Sequence, residues 1–236
     1  MCAVPDRPPV DVATTQALQR MKPALVIFDC DGVLVDSERL SHQVLQQMLS
    51  EQGVTIGFDE AVQRFIGTSL PECLRRVAEL LRAPLPEGFA AQFAQRTQRA
   101  FEGGLCPVPG VQAVLDALDA QGVPFCVASN GTHAKVNFTL GHTGLLARFV
   151  GRIFTAEDVA HAKPAPDLFL LAARTLGADP AHTTVVEDTP TGIRAARAAG
   201  MRAIGYAAMT PARQLGDAHA VVHTMAEVGR LLGSPA

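Results

Sequence analysis

Short apolar runs alternate with helical segments through most of the chain, and this alternation constrains the fold more than any other feature. Each run is four or five residues long and mostly apolar, as expected of a strand buried on both faces of a parallel sheet. The helical patterns between the runs indicate successive βαβ units. The sequence therefore predicts an α/β fold with a doubly wound parallel sheet, which is a Rossmann-like core. The predicted strands are residues 24–28, 124–128, 152–155, 183–186, 202–205 and 220–223.

The composition is that of a compact globular protein. The 236 residues are 48% hydrophobic and 18% charged, a balance that can fill a core and that differs from disordered chains. A formal charge of −3 without a dense Lys and Arg cluster argues against nucleic acid or an acidic membrane surface as a partner. Five scattered cysteines with no C-x-x-C pair indicate neither a disulfide framework nor a structural zinc site. A cytoplasmic location fits this cysteine usage best.

The long segment between the first two predicted strands carries only helical signals. Apolar residues recur there at helical spacing within residues 40–53, 70–81 and 89–101. Because this insertion leaves the sheet at the carboxyl end of a strand, where open α/β sheets bind ligands, it can act as a lid. Residues 1–22 contain no apolar stretch resembling a signal peptide or a membrane span. We therefore expect a poorly ordered leader at 1–22, an α/β catalytic core at 23–37 and 103–236, and an all-helical cap domain at 38–102.

The first predicted strand ends in two carboxylates that lie two positions apart. Asp29 and Asp31 are followed directly by Gly32, which permits a turn without a side-chain clash. Residues i and i+2 of a strand point to the same side, so the two carboxylates can converge on one ligand. A lone pair of this kind more often meets solvent where a strand becomes a loop, and this pair alone leaves both interpretations open.

The second and third predicted strands are also followed by polar groups. Ser129 and Asn130 precede a helical stretch, where a hydroxyl, an amide and backbone N–H groups can receive a phosphate. An ordinary helix N-cap explains the same residues. Lys163 stands next to Pro164, with Pro166 close behind, so its stiffened loop can aim an ammonium group at a pocket. A solvated loop lysine is the alternative.

Two adjacent carboxylates, Glu187 and Asp188, end the fourth predicted strand. Adjacent carboxylates repel each other unless a cation or a cationic side chain relieves them. Pro190 is suited to start the helix that follows, and capping of that helix would explain one acid better than two. Four strand ends of one sheet thus supply four carboxylates, a polar cradle and a lysine, which makes a shared site the better interpretation.

These four segments, in this order, resemble the signature loops of the haloacid dehalogenase superfamily. The resemblance covers residues 24 to about 210 and points to the phosphatase branch with a helical cap after the first strand. It implies a phosphatase that hydrolyses a small phosphorylated metabolite, a sugar phosphate or a related compound, through an aspartyl-phosphate intermediate. The implied cofactor is Mg²⁺. The implied partner is a small phosphate ester, with no nucleic acid and no membrane, and the oligomeric state stays open, a monomer included.

The resemblance also implies a role for each matching residue. Asp29 would be the nucleophile, Asp31 the general acid and base, and Lys163 the cation that neutralises nucleophile and phosphoryl oxygens. The implied phosphate-binding residues are Ser129, Asn130 and Lys163. The implied metal ligands are Asp29, Asp31 through its backbone carbonyl, Asp188, and Glu187 as a further ligand or as a partner of the ligands.

Substrate choice is expected to reside in the cap, which would close over the site. The candidate substrate residues are Ser37, His42, Gly67, Thr68 and Ser69, with Arg64, Arg75 and Arg76 as further candidates. A solvated helix face is the alternative for each arginine, and His42 could equally pack inside the cap.

Two other functions compete with the phosphatase. A mutase resembling β-phosphoglucomutase shares the fold, the cap type and the loop at 187–192. That pattern has a histidine where this chain has Ser41 and an arginine where it has Leu70, so hydrolysis is the better prediction. A non-catalytic module that binds a phosphorylated metabolite is the alternative of another class, and the intact set of charged residues argues against it.

Overall fold

The computed structural model describes residues 22–66, 68 and 70–233. The strands in these residues are β1 (Leu25–Phe28), β2 (Phe125–Ser129), β3 (Ile153–Thr155), β4 (Thr183–Glu187), β5 (Arg202–Tyr206) and β6 (Ala220–Val222). They form one parallel sheet in the order β3-β2-β1-β4-β5-β6. Each strand begins and ends within one residue of its predicted bounds, and the predicted α/β fold with a doubly wound parallel sheet is confirmed. The predicted leader, apart from Lys22, lies outside the described residues.

The sheet reverses its direction of growth at β1. From β1 the chain moves outward through β2 and β3, then returns to the other side of β1 at β4 and continues through β5 and β6. Phe28, the last residue of β1, lies beside Val127 of β2 and Val186 of β4. The loops after these three strands therefore leave the sheet from adjacent positions, which is where open α/β sheets form ligand clefts.

Five helices of the described chain lie between β1 and β2, and the first four are α1 (Ser37–Glu51), α2 (Phe58–Phe65), α3 (Leu70–Leu81) and α4 (Phe89–Gly104). Most of the buried apolar side chains of these four helices form a cluster separate from those of the sheet, and it includes Leu45, Leu49, Phe65, Val77 and Phe89. Helices α1, α3 and α4 match the predicted helical stretches. Helix α2 was not predicted, because its eight residues are shorter than the window over which helical periodicity can be read. The division into core and cap domains stays a prediction.

Apolar side chains cover both faces of the sheet. Along β1, Val26 and Phe28 point into one buried cluster, whereas Leu25 and Ile27 point into the other, because the side chains of a strand alternate between faces. This is why the strand reads as a continuous apolar run. The helices that follow α4 in the described chain are α5 (Val111–Ala120), α6 (His133–His142), α7 (Asp167–Thr175), α8 (Pro190–Ala198) and α9 (Met225–Leu231).

The two connections between the sheet and helices α1 to α4 run side by side. The Asp36 N–H donates to the Cys106 carbonyl at 3.0 Å, and the Val108 N–H donates to the Leu34 carbonyl at 2.9 Å. Because the outgoing chain after β1 pairs with the returning chain before α5, the four helices start and finish at the same point. That point lies directly after Asp29 and Asp31 in the chain, which places the helices beside the acidic loop.

Two chemical expectations can be compared with the described ranges. None of the helices there is both long enough and apolar enough to cross a bilayer. Four of the five cysteines are described, and all four are free thiols. The predicted cytoplasmic location stays a prediction.

Candidate active site

A cleft of about 480 Å³ opens at the carboxyl edge of the sheet. The loops after β1, β2 and β4 form one side of it, and residues of α1 and α2 contribute to the other. The predicted site residues that line it are Asp29, Asp31, Thr68, Ser129, Asn130, Lys163 and Glu187. Segments that are far apart in the sequence therefore meet at one place, as the strand ends predicted.

Lys163 is the centre of the charge network in this cleft. Its side chain is 3% exposed, and its Nζ donates to Asp29 Oδ1 at 2.6 Å and to Glu187 Oε1 at 2.8 Å. Burial nevertheless raises the pKa of Asp29 to about 7, with the Lys163 charge opposing this rise and the Glu187 charge adding to it. One ammonium group does not compensate the buried carboxylates around it, so the site favours additional positive charge.

Both carboxylate oxygens of Glu187 are engaged within the protein. Oε1 accepts from Lys163, and Oε2 accepts from the Thr189 N–H and hydroxyl, each at 2.8 Å. The Thr189 hydroxyl also caps α8, because it accepts from the Gly192 N–H at 3.0 Å. The structure thus places Glu187 as a support for Lys163. Its predicted metal ligation stays a prediction.

The Asn130 side chain holds the backbone of Lys163 at two points. Its Nδ2 donates to the Lys163 carbonyl at 3.1 Å, and its Oδ1 accepts from the Lys163 N–H at 3.0 Å. This contact joins the loop after β2 to the lysine loop, and the sequence did not reveal it. Ser129 is buried, and its hydroxyl accepts from the Gly131 N–H at 3.0 Å. The predicted phosphate contacts of Ser129 and Asn130 stay predictions.

A second ammonium group, that of Lys135 in α6, pairs with Asp31, which lines the cleft. Its Nζ donates to Asp31 Oδ2 at 2.7 Å, and the Ser37 hydroxyl donates to Asp31 Oδ1 at 2.6 Å. Burial by itself raises the pKa of Asp31, but the Lys135 charge and these two hydrogen bonds outweigh burial, so the pKa is lowered. Sequence reasoning missed Lys135, because it stands three residues beyond Thr132 with no acidic neighbour to suggest a pair.

Asp188 is the least satisfied carboxylate of the site. It is 4% exposed, and its Oδ1 has no hydrogen-bond partner among the described residues. Burial, together with the charges of Glu187 and Asp29, raises its pKa well above the usual range. A Cβ on Gly32 would lie 2.2 Å from Asp188 Oδ2. The glycine that follows Asp31 therefore leaves the space in which the Asp188 carboxylate approaches the acidic loop.

The residues present fit a hard divalent cation. Asp29 and Asp188 offer carboxylate oxygens, and the Asp31 backbone offers a carbonyl oxygen, which are the donors that Mg²⁺ prefers. The unpaired buried oxygen of Asp188 is the kind of group that a cation would stabilise. Within the ranges that the structure describes, no three His, Cys, Asp or Glu side chains form a metal cage. Mg²⁺ is commonly bound by one or two carboxylates together with substrate oxygens, so it does not require such a cage.

Comparison with known proteins agrees with this arrangement. A family model described as haloacid dehalogenase-like hydrolase matches residues 23–200. The chain belongs to the haloacid dehalogenase-like hydrolase family. The predicted family is confirmed, and so is the prediction that the chain is an enzyme of the hydrolase class rather than a non-catalytic module.

Several relatives match most of this haloacid dehalogenase-like hydrolase. The 6-phosphogluconate phosphatase of Escherichia coli (strain K12) is 31% identical over 188 residues, which are 78% of this chain and 82% of the relative. The fructose-1-phosphate phosphatase YqaB of the same organism is 31% identical over 180 residues, which are 76% and 94%. A solved structure of a family hydrolase from Deinococcus radiodurans R1, with bound phosphate and sodium, is 31% identical with a TM-score of 0.78. The match covers 91% of this chain and 99% of that one.

The predicted substrate residues of this hydrolase have different environments. Ser37 contacts Asp31, and His42 is buried, with its Nδ1 at 2.7 Å from the Glu38 carbonyl oxygen. Thr68 lines the cleft, as does Glu38, which was not among the predicted site residues although it directly follows Ser37. The candidates that lie outside the described residues are Gly67 and Ser69.

The three candidate arginines are paired on helix surfaces. Arg64 pairs with Glu60 at 2.7 Å, and Arg75 and Arg76 each pair with Glu72 at 2.7 Å. Their side chains are 39–56% exposed. This environment fits the alternative of a solvated helix face, and their part in substrate binding stays a prediction.

Proposed function

We propose that this protein is a phosphatase that hydrolyses the phosphate monoester of a small sugar-like metabolite with Mg²⁺ as cofactor. The observation that carries the proposal is the buried Asp29 carboxylate at the end of β1, which lines the cleft with Lys163 Nζ at 2.6 Å. Membership of the hydrolase family supports the reaction class. The names of two relatives, which refer to the phosphates of gluconate and fructose, support the substrate class.

Asp29 is the proposed nucleophile. Its carboxylate attacks phosphorus, the bond from phosphorus to the alcohol oxygen breaks, and an aspartyl-phosphate forms. Water then attacks this phosphorus, so that phosphate leaves and Asp29 is regenerated. A carboxylate that approaches an anionic phosphate meets repulsion, which fixed positive charge must offset. Lys163 supplies part of that charge, because its Nζ holds the attacking carboxylate while Glu187 and Asn130 hold the lysine.

Asp31 is the proposed proton carrier. In the first half of the reaction it would give a proton to the leaving alcohol, and in the second half it would take one from water. Its lowered pKa suits the second half. Proton donation in the first half requires the contact with Lys135 to weaken, because that ion pair favours the charged carboxylate.

Mg²⁺ would be held by Asp29, Asp188 and the backbone carbonyl of Asp31. When bound, the cation would offset the negative charge of the carboxylates and of the phosphoryl oxygens. Gly32 contributes space, because any larger residue would displace the Asp188 carboxylate.

The mutase is a competing hypothesis, and two side chains argue against it. Ser41 donates its hydroxyl to the Ser37 carbonyl at 2.9 Å, and Leu70 is 49% exposed. Neither position supplies the histidine or the arginine of the mutase pattern. Incubation with β-glucose 1-phosphate separates the two activities, since rapid isomerisation with little free phosphate would favour the mutase.

Phosphate release from a panel of sugar phosphates tests the proposed function. We expect turnover in Mg²⁺ that is lost on chelation with EDTA and that falls by on the order of 10³-fold or more in Asp29→Asn. Asp116→Asn is the matched control, because Asp116 is 68% exposed and pairs with Arg148 on the surface. Its turnover should equal that of the wild type. Full activity of Asp29→Asn on p-nitrophenyl phosphate, or full activity in EDTA, would contradict the proposal.

A further inference from the structure

A second, smaller cavity of about 160 Å³ adjoins the cleft. It lies among helices α1 to α4 and shares three lining residues with the cleft, namely Glu38, Phe65 and Thr68. An ester whose phosphoryl group lies beside Asp29 has room to extend its alcohol portion into this smaller cavity. We refer to it as the leaving-group cavity.

Most polar groups of the leaving-group cavity already have partners. The Ser41 hydroxyl donates to the Ser37 carbonyl at 2.9 Å, and the Thr68 hydroxyl donates to the Phe65 carbonyl at 2.6 Å. His42 Nδ1 lies 2.7 Å from the Glu38 carbonyl oxygen. Much of the remaining lining is apolar, and it includes Leu45, Leu70 and Phe93.

The Glu38 carboxylate is different, because it keeps unused acceptor capacity. A carboxylate has about four acceptor positions, and among the described residues Glu38 Oε2 lies 3.5 Å from His42 Nδ1. The side chain is 31% exposed, and it lines both cavities. Burial and the charge of Asp31 raise the pKa of Glu38, which is the expected response of a carboxylate with few donors around it. Hydroxyl groups of a bound ligand are donors that would occupy the unused acceptor positions of the Glu38 carboxylate.

We propose that Glu38 accepts hydrogen bonds from hydroxyl groups of the leaving alcohol, so that the enzyme selects phosphate esters of polyhydroxylated compounds. This inference rests on the proposed phosphatase function and adds the group that recognises the substrate. A site built to bond a substrate hydroxyl rejects an analogue that lacks the hydroxyl, because the polar group of the protein is then left unpaired. The apolar lining cannot give such discrimination, since it binds alkyl and hydroxylated chains with little difference.

Glycerol 3-phosphate and n-propyl phosphate are the probes, because they share a three-carbon chain and differ in two hydroxyl groups. The values of kcat/KM for both esters are measured in Mg²⁺ with the wild type, Glu38→Ala and Glu38→Gln. Each variant is compared with the wild type on the same ester, which cancels the difference in leaving-group chemistry. We expect Glu38→Ala to lose on the order of 10- to 100-fold on glycerol 3-phosphate and less than about threefold on propyl phosphate. Glu38→Gln should lie between, since its amide keeps one acceptor oxygen.

Glu51→Gln is the matched control, because Glu51 ends the same helix and pairs with Arg96 at the surface. It should behave as the wild type on both esters. Circular dichroism and thermal melting report whether each variant is folded. If Glu38→Ala does not fold, the test relies on Glu38→Gln, which keeps the shape of the side chain.

Equal losses on the two esters, or no loss on either, would overturn the role of Glu38. A wild type that hydrolyses p-nitrophenyl phosphate and yet shows no preference for glycerol 3-phosphate over propyl phosphate would also overturn it, while leaving the phosphatase function intact. Absence of phosphate release from all three esters would instead reject the phosphatase function and this inference with it.

Discussion

At the scale of single residues, the site combines several buried carboxylates with too few positive charges. Lys163 bonds to Asp29 and Glu187, whereas one oxygen of Asp188 has no partner in the described chain. Breaking a buried ion pair by removing one partner costs more than the pair itself contributes, because the other charge is left without compensation. Lys163 should therefore be essential for stability as well as for turnover.

Lys163→Met is expected to lower the free energy of unfolding by about 3–5 kcal/mol at pH 8. The substitution keeps a long apolar side chain but leaves the Asp29 and Glu187 carboxylates buried without their ammonium partner. Urea denaturation with a chelator present measures the change. The control is Lys22→Met, because Lys22 makes an exposed bond to the Gln121 carbonyl and should change stability by no more than about 0.5 kcal/mol. A loss of stability below about 1 kcal/mol in Lys163→Met would contradict the role of Lys163 as the cation that compensates the buried carboxylates.

At the scale of elements, the turn from β4 into α8 sets the position of the lysine. Thr189 caps the helix and also donates to Glu187, so that one residue starts α8 and holds the carboxylate that supports Lys163. Gly192, in the first turn of α8, leaves the space that the Glu187 carboxylate occupies. A Cβ on Gly192 would lie 1.7 Å from Glu187 Oε1, which no buried carboxylate in this position can accommodate.

Gly192→Ala is expected to lower both stability and kcat/KM. The added methyl group must displace Glu187, and Lys163 loses one of its two carboxylate partners as a result. Overpacking of this kind costs about 1–3 kcal/mol, measurable by thermal or urea denaturation. Gly103→Ala in α4 is the control, because an added Cβ there meets nothing within 4 Å and alanine favours a helix by about 0.5–1 kcal/mol over glycine. Equal behaviour of the two variants would argue against the steric role of Gly192.

At the scale of the whole molecule, the reversal of the sheet at β1 and the paired connections to α1 to α4 create the cleft. The sheet brings the acidic loop and the loop after β4 together, and Glu38 of α1, Phe65 of α2 and Thr68 after α2 line the same cleft. The result is a group of carboxylates shielded from water. Such a group links the stability of the folded molecule to pH and to cations.

Without a divalent cation, the free energy of unfolding should decrease as the pH rises from about 4 to about 7. Folding raises the pKa of Asp29 to about 7 from its usual value near 3.8, so the folded protein binds more protons than the unfolded chain in that window. Stability is then lost with rising pH, by up to about 1.4 kcal/mol per pH unit for one such proton. The raised pKa of Asp188 acts in the same direction.

Urea denaturation in EDTA between pH 4.5 and 8 measures this dependence. Asp29→Asn should reduce the slope of the profile, because the amide does not titrate and the contribution of Asp188 remains. Addition of Mg²⁺ should stabilise the wild type more at pH 8 than at pH 5, since protonated carboxylates bind the cation poorly. A flat profile of the wild type in EDTA would contradict the linkage.

Features that depend on neighbours in the sequence could be predicted well. The strand ends were predicted within one residue, because a strand buried on both faces must be apolar along its length and then give way to polar groups. The position of Asp29 and Asp31 at the end of β1 follows from the same local pattern. Helix α2 was not predicted, because eight residues contain too few turns for a helical pattern to be recognised.

The sequence by itself determined the sheet, the acidic strand ends and the family to which the chain belongs, because these depend on the order and spacing of residue types. Only the tertiary structure decided which side chains meet. Lys163 reaches Asp29 across 134 positions of the chain, and Lys135 reaches Asp31 across 104. Two further contacts depend on how helices and loops pack, namely the hydrogen bonds of Asn130 to the lysine loop and the position of Glu38 between two cavities. No local pattern encodes the distances between elements that are far apart in the sequence.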